Sequence, residues 1–343
     1  MKKLILAIDT SADDTSAAVT RGTSVLSNVI ASQTELHKKY GGIFPTVAKL
    51  AHRENIEPTI GAALKRAGVK EADIEAVAVT QGPGLAPALE VGITAATTLA
   101  KKWRVPLIPV NHLEGHMLSV LAQAASAERE RKVKFPALGM IVSGGHTSFV
   151  LIKKLGEYEV VGQTLDDAAG ECLDKVGRML NLGYPAGALI EKFAKKGDPK
   201  AIEFPLPLTT IKTFDVSFSG LKTFSKNKLA ELTVSEPLSQ QELFDFCASL
   251  QYGVFRHITY KLSKILESHE VKEIWLGGGV SANIALRKMI RQSAKPFGLT
   301  LKVPYTNRLC MDNAAMIGIV AGLTGQASEQ VLDRRPNLDL TTL

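Results

Sequence analysis

The chain has 343 residues, 45% apolar and 22% charged, with 41 Lys and Arg against 34 Asp and Glu for a formal charge of +7. Its length exceeds the usual limit of one hydrophobic core, so two domains are expected. No run of about 18 apolar residues suggests a membrane span. Cys172, Cys247 and Cys310 lie far apart and predict reduced thiols in a cytoplasmic protein. Met1-Lys2-Lys3 leads straight into an apolar stretch, which does not read as a signal peptide. The positive charge permits an anionic partner such as RNA, although 6% aromatic residues make no evident stacking platform for bases.

Residues 3–9 form an apolar run ending in an acid, 10–14 a polar turn, and 15–20 an apolar run again: strand, turn, strand. Residues 24–31 extend the meander. Tyr40-Gly41-Gly42 breaks the chain, and 45–67 has helical spacing with an interruption expected near Pro58. A buried-type strand, 74–80, runs into Gln81-Gly82-Pro83-Gly84 and a helix to about 101. Strand, glycine loop and helix together can offer N–H groups to a phosphate, but a lone Gly-Pro-Gly is equally a plain βα turn. The next strand, 106–110, delivers Asn111-His112-Leu113-Glu114-Gly115-His116. Asn111 suits a helix N-cap, and a helix puts His112 and His116 at i and i+4 on one face. Two such imidazoles either bind one metal with a third ligand from elsewhere or are unrelated histidines. The zinc-protease pattern fails, because Leu113 follows the first His and Glu114 points to another face.

The charged run 126–134 is the expected boundary between two halves. Residues 137–143, the turn Gly144-Gly145-His146, then 147–153 and 158–164 repeat the opening meander. Helical segments are expected over 168–182, 189–196 and 240–268. Lys192, Lys195, Lys196, Lys200, Lys212, Lys222, Lys226 and Lys228 make this region the most basic, either an RNA-facing surface or a solvated face. A strand at 274–276, Gly277-Gly278-Gly279, a helix at 281–292, a strand at 300–303 and a helix opening at Asp312 answer the first half. Expected domains are thus an N-terminal lobe, 1–125, and a C-terminal lobe, 135–311, with helical insertions. The helix 312–325 would pack back on the first lobe, and 326–343 form a tail whose last dozen residues are the one stretch that reads as disordered. Two similar α/β lobes imply a ligand cleft between them.

Read together, these stretches resemble one family. They are the segment 111–116, Val142-Ser143-Gly144-Gly145-His146-Thr147, and Asp166 to Glu171 leading to Asp174-Lys175-Val176. Ser217 to Lys222, Gly278 to Asn283 and Cys310-Met311-Asp312-Asn313 complete the set. In order, they are similar to TsaD, the tRNA adenosine threonylcarbamoyltransferases once described as glycoproteases. The resemblance spans nearly the whole chain and implies a two-lobed, duplicated actin-like ATPase fold. The implied reaction moves a threonylcarbamoyl group from threonylcarbamoyl-AMP to the exocyclic amine of the adenine 3′ of the anticodon in tRNAs reading codons that start with A, releasing AMP.

The resemblance further implies that His112, His116 and Asp312 bind a divalent metal, iron(II) with zinc as its rival. Ile141, Val142, Ser143, Gly144 and Gly145 would line the phosphates, and Asp174, Gly187 and Asn283 would hold ribose and base. A TsaB-type paralogue and a TsaE-type ATPase would be partners. No general base is assigned; Asp13 and Asp14, at the first turn, are the candidates. The chain departs from the family pattern at Asp9, Ala12, Asp14, Ala186, Ala188 and Met311, none of which is an expected ligand. Two other readings stand beside it. A non-catalytic nucleotide-binding subunit of the same complex should lack the metal set. A sugar or acetate kinase of the same fold would leave the histidine pair unexplained.

Overall fold

The computed structural model describes residues 2–127, 131–328 and 331–340. In chain order they form β1 (Leu4–Asp9), β2 (Asp14–Arg21), β3 (Ser24–Ser32), α1 (Thr34–Lys38), α2 (Pro45–Ala67), β4 (Ala76–Gly82), α3 (Ala86–Trp103), β5 (Leu107–Asn111), α4 (His112–Leu118) and β6 (Gln123–Ala124). There follow β7 (Ala137–Val142), β8 (Thr147–Lys154), β9 (Glu157–Gln163), α5 (Ala169–Met179), α6 (Gly187–Ala194), α7 (Ser219–Leu232), α8 (Gln240–Ser268), β10 (Glu273–Gly277), α9 (Ile284–Ala294), β11 (Thr300–Lys302) and α10 (Ala314–Leu323). The chain divides into two units, one of 1–133, 153–159 and 303–343, the other of 134–152 and 160–302. Residues 128–130 of the expected charged boundary lie outside the described residues.

The first unit is built on a sheet of order β5-β4-β1-β2-β3-β6. β1 and β2 are antiparallel, with Asp9 opposite Ser16, while β4 runs parallel to both β1 and β5. Side chains alternate across a strand, so Leu4, Leu6 and Ile8 join Ala17 and Val19 in one core with Ile56, Ile60 and Leu64 of α2 and Leu89, Ile93 and Ala96 of α3. The intervening positions meet α10. A Cβ at Gly318 would lie 2.5 Å from the Thr20 hydroxyl and 3.2 Å from Ala7, so the small residue sets how near that helix comes.

The second unit carries a sheet of order β11-β10-β7-β8-β9. β7 and β8 are antiparallel, with Val142 opposite Thr147, and β7, β10 and β11 are parallel neighbours. This is the β5-β4-β1-β2-β3 order again, which makes the duplication read from the sequence a duplication of topology. Long α8 begins at a capping box, Ser239 and Glu242 bonding reciprocally. It buries Phe246, Leu250, Val254 and Ile258.

Three local expectations are corrected. Helix α2 runs without interruption through Pro58. Pro58 and Glu54, whose carbonyl loses its i+4 donor there, are both exposed, so water can serve that carbonyl while Ile56, Thr59 and Ile60 stay buried. The tail is ordered over 331–340. Gly84 N–H donates to Pro336 O, Arg335 N–H to Gln81 O, and Leu338 and Leu340 are buried. That tail covers the Gly-Pro-Gly turn: a Cβ on Gly82 would sit 1.8 Å from Arg335 O. The turn is therefore a packing site and not a phosphate loop. Finally, α10 starts at Ala314 with Asn313 as its cap, which leaves Asp312 in the preceding loop.

Candidate functional site

In the first unit, the cap comes before the site. Asn111 Oδ1 accepts from Leu113 N–H at 2.8 Å and Glu114 N–H at 3.4 Å, starting α4 directly at His112. Its Nδ2 donates to Asp339 O of the tail. Every residue of α4 is buried. Gly115 lies against α10, where a Cβ would be 3.0 Å from Met316 Cγ. The i and i+4 spacing brings His112 and His116 edge to face, ring centres 4.6 Å apart. His112 Nε2 lies 3.5 Å, and His116 Nε2 3.2 Å, from one atom, Oδ1 of Asp312. The histidines are buried, whereas the Asp312 side chain is 28% exposed, so the cluster opens to solvent on its acid side.

The electrostatics are those of a cation site. Burial alone would lower the His112 pKa, but the carboxylates of Asp312 and Asp9 outweigh it and raise it to about 10. Burial would likewise raise Asp312, and the two imidazoles hold it well below the carboxylate range. The Nδ1 atoms of both histidines are buried without a hydrogen-bond partner. One ligand atom from each of His112, His116 and Asp312 falls within 4.8 Å of the others, and they are the only such metal-capable group among the described residues. Two imidazole nitrogens, once they give up any proton to the solvent, and one carboxylate suit a divalent transition metal, so the residues fit the group expected there. Glu114 takes no part: its carboxylate accepts from Tyr158 OH at 2.6 Å and Thr324 OH at 2.9 Å. The protease reading has no base.

The first turn lies close to this cluster in charge. Burial raises the Asp14 pKa to about 6, with the charges of Asp312 and Asp9 adding to it. Asp13 is half-buried, its carbonyl accepting from Gln33 N–H. His52, which no motif flagged, locks the turn: Nδ1 meets the Thr15 hydroxyl at 2.8 Å and Nε2 the Ala12 carbonyl at 3.0 Å. Only its place on the buried face of α2 could have drawn notice.

In the second unit, Ile141 and Val142 are buried strand residues that can offer only backbone to a ligand. Ser143 turns the chain: its N–H donates to His146 O, and its hydroxyl accepts from His146 N–H. Gly144 and Gly145 are exposed with open space around them. Behind them Gly170 N–H donates to Ser143 O, and a Cβ at Gly170 would lie 2.7 Å from that oxygen, so the start of α5 backs the turn. Asp174, further along α5, accepts from Ala186 N–H at 2.8 Å and Gly187 N–H at 3.1 Å through Oδ1. The structure thus joins Asp174 to Gly187 directly and to the glycine turn through α5. Asn283 is used differently. Its Oδ1 caps α9, and its Nδ2 donates to Gln251 Oε1 at 2.7 Å. Gln251 is a buried polar partner that the sequence reading missed. Asp166 and Asp167 organise the same region. Asp166 accepts from the hydroxyls of Ser217 and Ser219, and Asp167 pairs with Lys175 and Lys222. Lys222 is therefore tied down and not a free surface cation.

Solved structures share this architecture. The chain is similar to HypF of T. kodakarensis, with TM-score 0.59, 15% identity, and coverage of 94% of this chain and 47% of that one. It is also similar to (R)-2-hydroxyglutaryl-CoA dehydratase component A of Acidaminococcus fermentans, with TM-score 0.53, 12% identity, and coverage of 93% and 97%. At such identities the likeness concerns the fold, which is that of the actin-like ATPases. The chain thus has an actin-like fold, with a histidine–carboxylate cluster where β5 ends and α4 begins. The particular family follows from sequence. The model of TsaD, tRNA N6-adenosine threonylcarbamoyltransferase, matches residues 24–319. Curated relatives of that name are 44% identical over 317 residues in Geotalea uraniireducens, covering 92% of this chain and 90% of the relative. In Thermosynechococcus vestitus one is 44% identical over 342 residues, covering 98% and 93%. The chain belongs to the TsaD family.

Proposed function

We propose that this chain transfers the threonylcarbamoyl group of threonylcarbamoyl-AMP to the exocyclic amine of the adenine 3′ of the anticodon in tRNA, releasing AMP. The observation that carries the reading is the convergence of His112, His116 and Asp312 on one point in a chain of this family. A non-catalytic paralogue would have no need of that set, and phosphoryl transfer to a sugar would leave it unused.

His112, His116 and Asp312 would hold the metal, which when bound supplies a Lewis acid and a template for the threonylcarbamoyl group. Iron(II) suits the two-histidine, one-carboxylate set, and zinc accepts the same ligands. The backbone N–H groups of Gly144 and Gly145, two exposed residues, would take the phosphate of the adenylate, whose charge grows as AMP leaves. Asp174 presents a carboxylate beside Gly187, where a ribose hydroxyl could donate to it. Asn283 and Gln251 would face the base together, since their side chains are already bonded to each other. Asp14, held near pH 6 by burial and neighbouring acids, has the range of a general base at neutral pH.

A TsaB-type paralogue and a TsaE-type ATPase are the proposed partners, and the cytoplasm the proposed compartment. No helix among the described residues is long and apolar enough to cross a membrane. The test supplies threonylcarbamoyl-adenylate and unmodified tRNA, without and then with these partners. Modified nucleoside with equimolar AMP supports the reading. No modified nucleoside here, together with ADP and a phosphorylated small molecule when ATP and a sugar or acetate are supplied to the chain alone, would replace it by a kinase.

A further inference from the structure

We propose that Asp9 is a positioning residue for His112, its carboxylate taking the Nδ1 edge of the imidazole so that Nε2 faces the metal. This rests on the reading of His112, His116 and Asp312 as a metal site. Asp9 ends β1 and is fully buried. Its Oδ1 accepts from Thr80 OH at 2.6 Å, and His112 Nδ1 lies 3.5 Å from the same oxygen. Its Oδ2 is buried with no hydrogen-bond partner. A fully buried carboxylate with a single hydroxyl donor is costly unless a cation or a strong donor answers it.

The geometry says which donor. His112 is placed between two acids, with Nε2 at 3.5 Å from Asp312 and Nδ1 at 3.5 Å from Asp9. Ring nitrogens point to opposite edges, so Asp9 stands behind the imidazole and cannot share an ion with Nε2. At 3.5 Å the Nδ1 contact is longer than a formed hydrogen bond, and a small ring rotation closes it. Metal-bound histidines ordinarily donate their other N–H to an acid or carbonyl, which fixes the tautomer and makes the ligand more basic. The Thr80 hydroxyl holds Asp9 in place for that task, from the neighbouring strand β4. Neither Nδ1 has a formed hydrogen bond, but His112 Nδ1 has the Asp9 carboxylate beside it at 3.5 Å, so the two histidine ligands are not equivalent and His112 is the one an acid backs.

The test is titration of metal-free protein with Co(II), read by its d–d absorption, alongside AMP binding. Asp9→Asn keeps the size and the Thr80 contact but removes the charge. It should weaken Co(II) binding about 10- to 100-fold, shift the absorption bands and leave AMP affinity unchanged. Should that variant not fold, Asp9→Glu and Asp9→Gln, equal in length, repeat the comparison, with Glu binding Co(II) about 10-fold more tightly or better. Wild-type affinity and spectrum in Asp9→Asn, or equal binding by Glu and Gln, overturns the inference while the metal site stands. Wild-type protein that takes up no Co(II) removes the metal site and this inference with it.

Discussion

Glu114 stands between the two histidines in sequence, yet it spends its carboxylate on Tyr158, whose hydroxyl donates to it at 2.6 Å. Burial raises the pKa of both groups, so the pair is held by a hydrogen bond in a dry place. Tyr158→Phe removes the donor and leaves Thr324 alone on a buried acid. The expected cost is about 1–3 kcal/mol, read as a lower denaturation midpoint with unchanged metal content. An unchanged midpoint would mean that the contact carries no stability.

Removing a ligand should separate metal from nucleotide. His116→Ala and Asp312→Ala are each expected to lose bound metal by elemental analysis while keeping AMP affinity. The same cluster should bind metal less well in acid. Its ligands must give up protons to the solvent, and the acids beside His112 hold its proton up to a pKa of about 10. Affinity should therefore rise with pH through the neutral range. A flat profile would show that the metal displaces no proton from these residues.

Asp174 should show the converse separation. Its Oδ1 pins Ala186 and Gly187, so Asp174→Ala frees the entry to α6 as well as removing a ribose acceptor. AMP affinity should fall at least about 10-fold, near 1.4 kcal/mol, by calorimetry, with metal content intact.

His257 gives a pH-dependent stability with a definite sign. Burial pushes it down to about 4, with Lys261 adding to the effect, and its Nε2 accepts from Ser217 N–H. Between pH 6.5 and 4 the unfolded chain binds a proton that the folded one refuses, so stability is complete above 6.5 and is lost as pH falls towards 4. The loss is at most about 1.4 kcal/mol per unit. His257→Gln keeps an acceptor for Ser217 and should flatten this part of the midpoint-against-pH curve. An equal slope in both proteins would assign the acid sensitivity elsewhere.

Local chemistry explains what the sequence disclosed. Asn111 is a cap because its side chain suits free N–H groups, and a capped helix makes i and i+4 histidines neighbours; both steps need only nearby residues. The repeated order of runs showed the duplicated sheets because alternation is also local. Asp312 is different. It is some 200 residues from His116, and only the family resemblance brought the two together. Asp9, His52 and Gln251 were invisible as partners, since burial and distance decide their roles. The interruption expected at Pro58 does not occur, because which side of α2 faces solvent is a tertiary fact, and Glu54 and Pro58 both lie on the exposed side. The tail misled because its polar residues pack by backbone bonds to a glycine turn that composition cannot show.

The most direct measurement is a single turnover of threonylcarbamoyl-adenylate and unmodified tRNA by wild-type protein and by His112→Ala, with partners present and the nucleosides analysed by mass. The account predicts threonylcarbamoyladenosine and AMP in equal amounts from the wild type, and neither from the variant although it still binds AMP. Equal product from both proteins would contradict it, because the residues that converge on Asp312 would then have no part in the reaction.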